Sequence, residues 1–492
     1  MRMKWIATVS IGLAALLGCQ KPVHFPATSL AEQAKAAGAF AAFDASGHGR
    51  ANCFFFANEA GRIDRIGYDL NGDQKPESIV WLDELPASQC RHLVIVLDGF
   101  GYHAVKEYYD RGGLRFCHPP SLVIAPYPTL TDPCIEDLLN YMPCAGFEAL
   151  YYDAAANKLV GGSMAYMAGK NEPYNRLLQY RASLIWDAIG YLYPWPVFGK
   201  EINDAKRVFD RASSQEVIAY FVSSAGVGTQ MGAEGQKKCL QEVDRLINQI
   251  MWETHGLTKI TITADHGHSY TPATRIPLEP YLEKKGWKLT DSLKGPRDVV
   301  YVRFGLETYA SLSALRSAEL AADLIGCEGV EIASYADDDS VVVLGRQGGK
   351  AIVRRKGDRY KYEKVSGDPL KLSEPLAALK ADGEGYYDVQ ELFGATAGHE
   401  YPCPLERLWR AHFGLAENPP TVIVSLEDRF YSGSGSFAGA VRIASTHGGL
   451  NYRNSATFIM STAGALRPVM RSRDVPGNLE KLLTVDRFPQ GK

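Results

Sequence analysis

Residues that could hold a metal or attack an electrophile stand beside short apolar runs in this 492-residue chain. Leu93-Val94-Ile95-Val96-Leu97 is followed by Asp98-Gly99-Phe100-Gly101. Leu122 to Ala125 leads into Pro126-Tyr127-Pro128-Thr129-Leu130-Thr131-Asp132-Pro133, and Ile260 to Thr263 into Ala264-Asp265-His266-Gly267-His268. Ser445-Thr446-His447-Gly448-Gly449 precedes a further run at Thr457 to Met460. Carboxylate oxygens with imidazole nitrogens make a mixed donor set that suits Zn²⁺. A threonine hydroxyl at the start of a helix would face an anion where free backbone N–H groups and the helix dipole favour one. Taken singly, each piece is ordinary. Asp-Gly is turn chemistry, and Thr-Asp-Pro starts a helix with Asp132 as cap and Pro133 in the first turn. His268 reads as a solvent-facing loop histidine.

The apolar runs must place these residues. A continuous run, rather than an alternating one, suits a strand buried on both faces of a parallel sheet. Ligands of such sheets bind at the carboxyl ends of the strands, which is where the residues above stand. Val217 to Val222 and Thr421 to Ser425 are runs of the same kind, and helical patterns lie between, at Ile135 to Met142 and Gly235 to Trp252. Strand–helix alternation means an α/β sheet covered by helices. Residues 276–395 read differently, with short runs at Val299 to Val302, Ser340 to Leu344 and Ala351 to Val353 between charged turns. They form a smaller α+β insertion. The expected organisation is a signal peptide over 1–18, an N-terminal extension over 19–88, a core in two parts over 89–275 and 396–492, and an inserted cap over 276–395.

The N-terminus carries Arg2 and Lys4, then an uncharged run from Trp5 to Leu17 that is shorter than the roughly 20 residues a spanning helix needs. Leu16-Leu17-Gly18-Cys19 resembles a bacterial lipobox. The resemblance implies cleavage before Cys19, a lipid on Cys19 and a place in the cell envelope; Gln20, rather than Asp, favours the outer membrane. Eight cysteines remain beyond Cys19, an even number that an oxidising compartment permits to pair. In the extension, Asp69, Asn71, Asp73 and Glu77 surround Gly72 and resemble an extracellular calcium loop, structural rather than catalytic; a polar turn between strands is the alternative. Lys plus Arg number 53 against 56 for Asp plus Glu, a net charge of −3, so no nucleic-acid binding is expected.

Together the motifs Val94-Ile95-Val96-Leu97-Asp98-Gly99-Phe100-Gly101, Pro128-Thr129-Leu130-Thr131, Thr263-Ala264-Asp265-His266-Gly267 and Thr446-His447-Gly448-Gly449 resemble the alkaline phosphatase superfamily, in its nucleotide pyrophosphatase/phosphodiesterase-like branch. The resemblance runs over about residues 90–465. It implies an alkaline phosphatase-like, mostly parallel sheet sandwiched by helices, with the insertion as a cap. It implies a Zn²⁺ held by Asp98, Thr131, Asp265 and His266, and His447 at a second zinc. Thr131 would be the nucleophile in hydrolysis of a small phosphate mono- or diester through a covalent phospho-enzyme. The family pattern breaks at Tyr220 to Gly232, where Ala225 and Thr229 stand in place of an Asp and a His of the second zinc site, and at Cys134, in place of a phosphoryl-binding Asn. Asp132 adds a negative charge beside the nucleophile. Either the site is rebuilt around one metal, with Asp132 or His268 helping, or the chain is a catalytically lapsed surface lipoprotein that binds a ligand or partner.

Overall fold

The computed structural model describes residues 24–167, 173–435, 439 and 441–483. The sheet that carries the site is built from β1 (Arg91–Leu97), β2 (Ser121–Ile124), β3 (Tyr180–Arg181), β4 (Glu216–Phe221), β5 (Thr258–Ala264), β6 (Ala456–Ser461) and β7 (Val469–Arg471). Their order is β7-β2-β6-β5-β1-β4-β3. β1 runs parallel to both neighbours, pairing Leu93 with Val217 of β4 and with Ile260 of β5. The apolar run of β1 has a direct cause. Leu93, Ile95 and Leu97 pack into one core cluster, Val94 and Val96 into another on the opposite face. A strand covered on both sides favours apolar side chains at successive positions, and His92 at its start is buried only with Glu216 and Thr261 as partners.

Helices supply the two covers. On one face lie α1 (Tyr102–Asp110), α3 (Pro194–Arg211) and the long α4 (Ser223–Glu253), which contribute Val105, Phe198, Ile202, Leu240, Val243 and Ile247. On the other face α2 (Thr131–Leu139) packs Ile135 and Leu138 beside Leu479 of the C-terminal helix Val475–Leu483. The mixed α/β architecture with a mostly parallel central sheet is the one expected.

One strand departs from the parallel expectation. β6 runs antiparallel to both β5 and β2. This reversal brings the segment before β6 to the edge at which β1, β2 and β5 end. His447, which precedes its strand, therefore reaches the same edge as Asp98 and Asp265, which follow theirs.

A second, nine-stranded sheet draws strands from Lys288–Leu289 to Tyr387–Asp388 and takes Val422–Leu426 into its middle. The run at 421–425 is thus not a strand of the parallel sheet. It pairs antiparallel with Tyr309–Ala314 on one side and Val330–Asp337 on the other. The N-terminal region forms a four-stranded antiparallel sheet, Ala41–Phe43 to Ser78–Trp81. It docks through Phe25, Phe43 and Phe55, the last edge-on to Phe116 at 4.8 Å. All eight cysteines of the described residues are buried thiols, none in a disulfide. Cys19 and the signal peptide lie outside the described residues. No helix of the described residues is long and apolar enough to cross a membrane.

Candidate metal centre

β1 and β5 end side by side, with Leu97 paired to Ala264, so the next residues, Asp98 and Asp265, meet at the sheet edge. Asp265 Oδ1 accepts two backbone N–H groups, from Gly99 and His266, each at 2.9 Å. Asp98 Oδ2 accepts from the Tyr220 hydroxyl at 2.6 Å. Each carboxylate thus has one oxygen committed to the protein. The other oxygens, Asp98 Oδ1 and Asp265 Oδ2, are buried and without a hydrogen-bond partner, and so is His266 Nε2. His266 Nε2 lies 3.6 Å from Asp98 Oδ1 and 3.4 Å from Asp265 Oδ2. These atoms of Asp98, Asp265 and His266 all lie within 4.8 Å of one another.

Three buried, unpartnered donors facing one point are costly unless something positive stands between them. The tautomer agrees with that requirement. His266 Nδ1 contacts the Gly267 carbonyl at 2.9 Å, so its proton sits there and Nε2 offers a lone pair. The titration of the cluster carries the same strain. Burial, then the neighbouring Asp265 charge, pushes the Asp98 carboxyl well above the ordinary range. Burial lifts Asp265 to about 7 and pulls the His266 imidazole down to about 4. A divalent cation would reverse the rise at both carboxyls and hold His266 in the neutral form that ligates. The donor set of two carboxylates and one imidazole fits zinc.

His447 joins this cluster. Its ring stacks on His266 with centroids 4.0 Å apart, and its Nδ1 faces the Thr129 carbonyl at 2.9 Å, leaving Nε2 as the free donor. Thr131 is the first residue of α2, preceded by Leu130 in extended conformation with no side-chain cap. The helix therefore starts at Thr131, and Asp132 is not its cap. Asp132 is buried in the first turn and accepts from the Tyr174 hydroxyl at 3.2 Å. Thr131, Asp132, Asp98 and His447 line one cavity of about 710 Å³. The structure thus brings Asp98, Asp265 and His266 into one cluster, sets His447 against it and opens Thr131 onto the same space.

His268 differs from its expected role. It is fully buried rather than solvent-facing. Its Nδ1 contacts Ser445 Oγ, and its ring meets His447 edge-on at 5.4 Å. It is wedged where a Cβ on Gly99 would come within 3.0 Å of it and one on Gly228 within 3.1 Å. Gly99 also has φ of 66°, so a side chain there is excluded twice. Ala225 and Thr229 lie in the first turns of α4, Ala225 fully buried and Thr229 on the cavity wall. Neither offers a carboxylate or an imidazole. Glu148 and Glu307 line the cavity and belong to no motif, and Tyr220, which opens the broken family stretch, was not expected to touch Asp98. For Tyr220 a signal existed, since it pairs with Val96, two residues before Asp98, and so shares the face of Asp98.

In the N-terminal sheet, Asp69 to Glu77 form the turn between Ile63–Tyr68 and Ser78–Trp81. Oxygens of Asp69, Asp73 and Glu77 gather within 4.8 Å. Asn71 Oδ1 accepts from the Asp73 N–H at 2.8 Å, and Asp69 from the N–H groups of Gly72 and Gln74 at 2.6 and 2.8 Å. These bonds also serve a polar turn.

Fold and site define an α/β protein with a carboxylate–imidazole cluster at the carboxyl edge of its parallel strands. No protein-family model matches the chain, and no curated protein matches it. Among solved structures, murine ectonucleotide pyrophosphatase/phosphodiesterase 5 is similar at 14% identity and a TM-score of 0.44, over 82% of this chain and 97% of that one. The human protein of that name gives 13% and 0.46 over the same shares. An inactive variant of the murine protein in complex with AMP gives 13% and 0.44, again over 82% of this chain and 97% of that one.

Proposed function

We propose that this chain is a metal-dependent hydrolase of phosphate mono- or diesters, of the alkaline phosphatase-like kind, with Thr131 as nucleophile. One observation carries the reading: the unpartnered atoms of Asp98, Asp265 and His266 converge beside the cavity onto which Thr131 opens. Bound there, Zn²⁺ would lower the pKa of a nearby hydroxyl and draw charge from phosphoryl oxygens. The chain's own residues do the rest. Thr131, at the N-terminus of α2, meets the phosphoryl group where free N–H groups point. Its oxygen bonds to phosphorus as the bond to the leaving alcohol breaks, and water then cleaves the phosphothreonine. Tyr220 fixes the rotamer of Asp98, and the Thr129 carbonyl fixes the tautomer of His447.

A second reading has its own observation. Ala225 and Thr229 leave His447 without the partners of a second zinc, as a lapsed enzyme that keeps a binding cleft would. One experiment separates the two. Zinc per chain is measured, and p-nitrophenyl phosphate and bis-p-nitrophenyl phosphate are assayed with and without chelator. Chelator-sensitive turnover supports the hydrolase; bound zinc without turnover supports the binding protein. The same proposal includes a lipid on Cys19 that anchors the chain in the envelope, and a structural Ca²⁺ in the Asp69–Glu77 turn.

A further inference from the structure

The outer face of the N-terminal sheet is apolar where an antiparallel sheet with its other face on a core is ordinarily polar. Ser78–Trp81 is an edge strand of that sheet, and its Val80 packs inward against the main core. Ile79 and Trp81 therefore point outward, and they are 45% and 47% exposed. Trp81 pairs with Arg65, which pairs in turn with Phe56, so the three share the outer face. The Arg65 guanidinium lies 4.8 Å from the Trp81 ring and 5.4 Å from the Phe56 ring. Ala34 of the helix Ala31–Ala37 packs with Phe54 and Phe56 and leaves Ile79 and Trp81 open. Phe40, just before the strand at the opposite edge, is a third exposed apolar side chain.

The length of chain before the sheet decides what covers this face. Cys19 stands six positions before Phe25. Phe25 is fixed: its ring stacks on Phe55 at 5.9 Å and lies 5.0 Å from Phe43, and its carbonyl accepts from Arg245 Nη2 at 2.8 Å. Six residues of chain, however extended, span about 20 Å. A lipid on Cys19 holds the bilayer within about that distance of Phe25, beside a sheet whose four strands span about 15 Å. The cavity lies at the other end of α4. Thr229, in the first turns, lines the cavity, whereas the Trp252 carbonyl, in the last turn, accepts from the Tyr68 hydroxyl of the sheet at 2.9 Å. From Gly232, where the helical backbone breaks, to Trp252 is twenty residues, about 30 Å. The short tether therefore belongs to the sheet end of the molecule. A tryptophan with an aliphatic neighbour suits the boundary between acyl chains and headgroups, where an apolar body and a polar tip are both accommodated.

We infer that the outer face of the N-terminal sheet, through Ile79 and Trp81, docks on the bilayer that holds the Cys19 lipid, with the cavity turned toward the aqueous phase. The inference rests on that lipid and not on the phosphoester chemistry. It assigns the N-terminal sheet a task, to seat the chain on the membrane and set the direction in which the metal centre faces.

Tryptophan quenching tests it on the chain taken from cells and reconstituted in vesicles. The vesicles are made with and without phosphatidylcholine brominated near the top of its acyl chains, which quenches a tryptophan that it touches. Brominated lipid should quench part of the emission of the unsubstituted chain. Trp81→Phe should lose that part, and Trp195→Phe should keep it. Trp195 is 38% exposed and reports the cavity end, since it follows Pro194, whose Cβ lies 3.2 Å from where a Cβ on Gly226 of α4 would stand. Ile79→Asp, which keeps Trp81 as reporter, should also lose the quenching, because a carboxylate stays out of the acyl region. Quenching that survives in Trp81→Phe, or that disappears in Trp195→Phe, overturns the inference, and so does equal emission in the two kinds of vesicle. Mass spectrometry of the N-terminal peptide tells the two failures apart. An unmodified Cys19 refutes the anchor and the docking with it; an acylated Cys19 with Trp81 unquenched overturns the docking alone.

Discussion

Replacing Asp265 with asparagine should make the metal-free protein more stable while removing its metal. The geometry allows the exchange. The amide oxygen can keep both bonds at 2.9 Å, from the Gly99 and His266 N–H groups. The amide nitrogen then stands where Oδ2 is, 3.4 Å from His266 Nε2, and donates to that lone pair. A buried, unpartnered oxygen becomes a satisfied donor. The electrostatic gain follows from the titration of Asp265, raised from 3.8 to about 7 by burial. Well below pH 3.8 the carboxyl is neutral in folded and unfolded chains alike. As pH rises toward 7 the unfolded chain loses its proton and the folded chain keeps it, so stability falls. At pH 8 the whole penalty is present, a ceiling on the order of 4 kcal/mol at about 1.4 kcal/mol per unit. Asparagine carries no such penalty. The His266 shift, of opposite sign between pH 4 and 6.5, is common to both proteins and cancels in the comparison. Thermal melting in EDTA at pH 8 should therefore place Asp265→Asn a few degrees above the unsubstituted protein. Zinc titration should show affinity reduced by about 100-fold or more. A variant that melts lower without metal, or binds zinc as well as before, refutes the reasoning.

Thr131→Ala should abolish phosphodiester turnover, by at least about 10³-fold, and Thr131→Ser should restore part of it; steady-state kinetics with bis-p-nitrophenyl phosphate reads both. The pair Ala225→Asp and Thr229→His should raise bound zinc from one toward two per chain, measured by elemental analysis of folded protein; an unchanged count means that α4 does not face a second metal. Burial lifts Glu201, which accepts from the Val222 and Ser223 N–H groups at 3.1 Å, to about 8. Its contribution to stability is full below about pH 4.5 and lost as pH rises through 8. Melting curves from pH 5 to 9 should thus fall less steeply for Glu201→Gln, which should cross above the unsubstituted protein near the upper end.

The strands that end at the site were legible because a strand buried on both faces leaves a continuous apolar run. Val94 and Ile95 need opposite clusters, and sequence alone records that need. The same logic misplaced Thr421 to Ser425. Ile423 and Val424 also face opposite clusters, but in the second sheet, where the strand lies between antiparallel neighbours. Apolarity reports cover, not direction or partner. The reversal of β6 was hidden for the same reason. Short motifs found Asp98, Asp265 and His266, since the ends of two adjacent strands suffice to bring them together. They could not find the burial of His268, decided by Ser445, 177 positions away, and by the bare backbones of Gly99 and Gly228. Nor could they find Glu148 and Glu307, which meet only because separate segments converge on Gly305.

Anomalous diffraction at the zinc edge, from crystals grown with zinc, tests the central claim most directly. The account predicts one strong peak about 2.0–2.2 Å from Asp98 Oδ1, Asp265 Oδ2 and His266 Nε2. A cluster without anomalous signal at saturating zinc, or a peak only elsewhere in the chain, would contradict it.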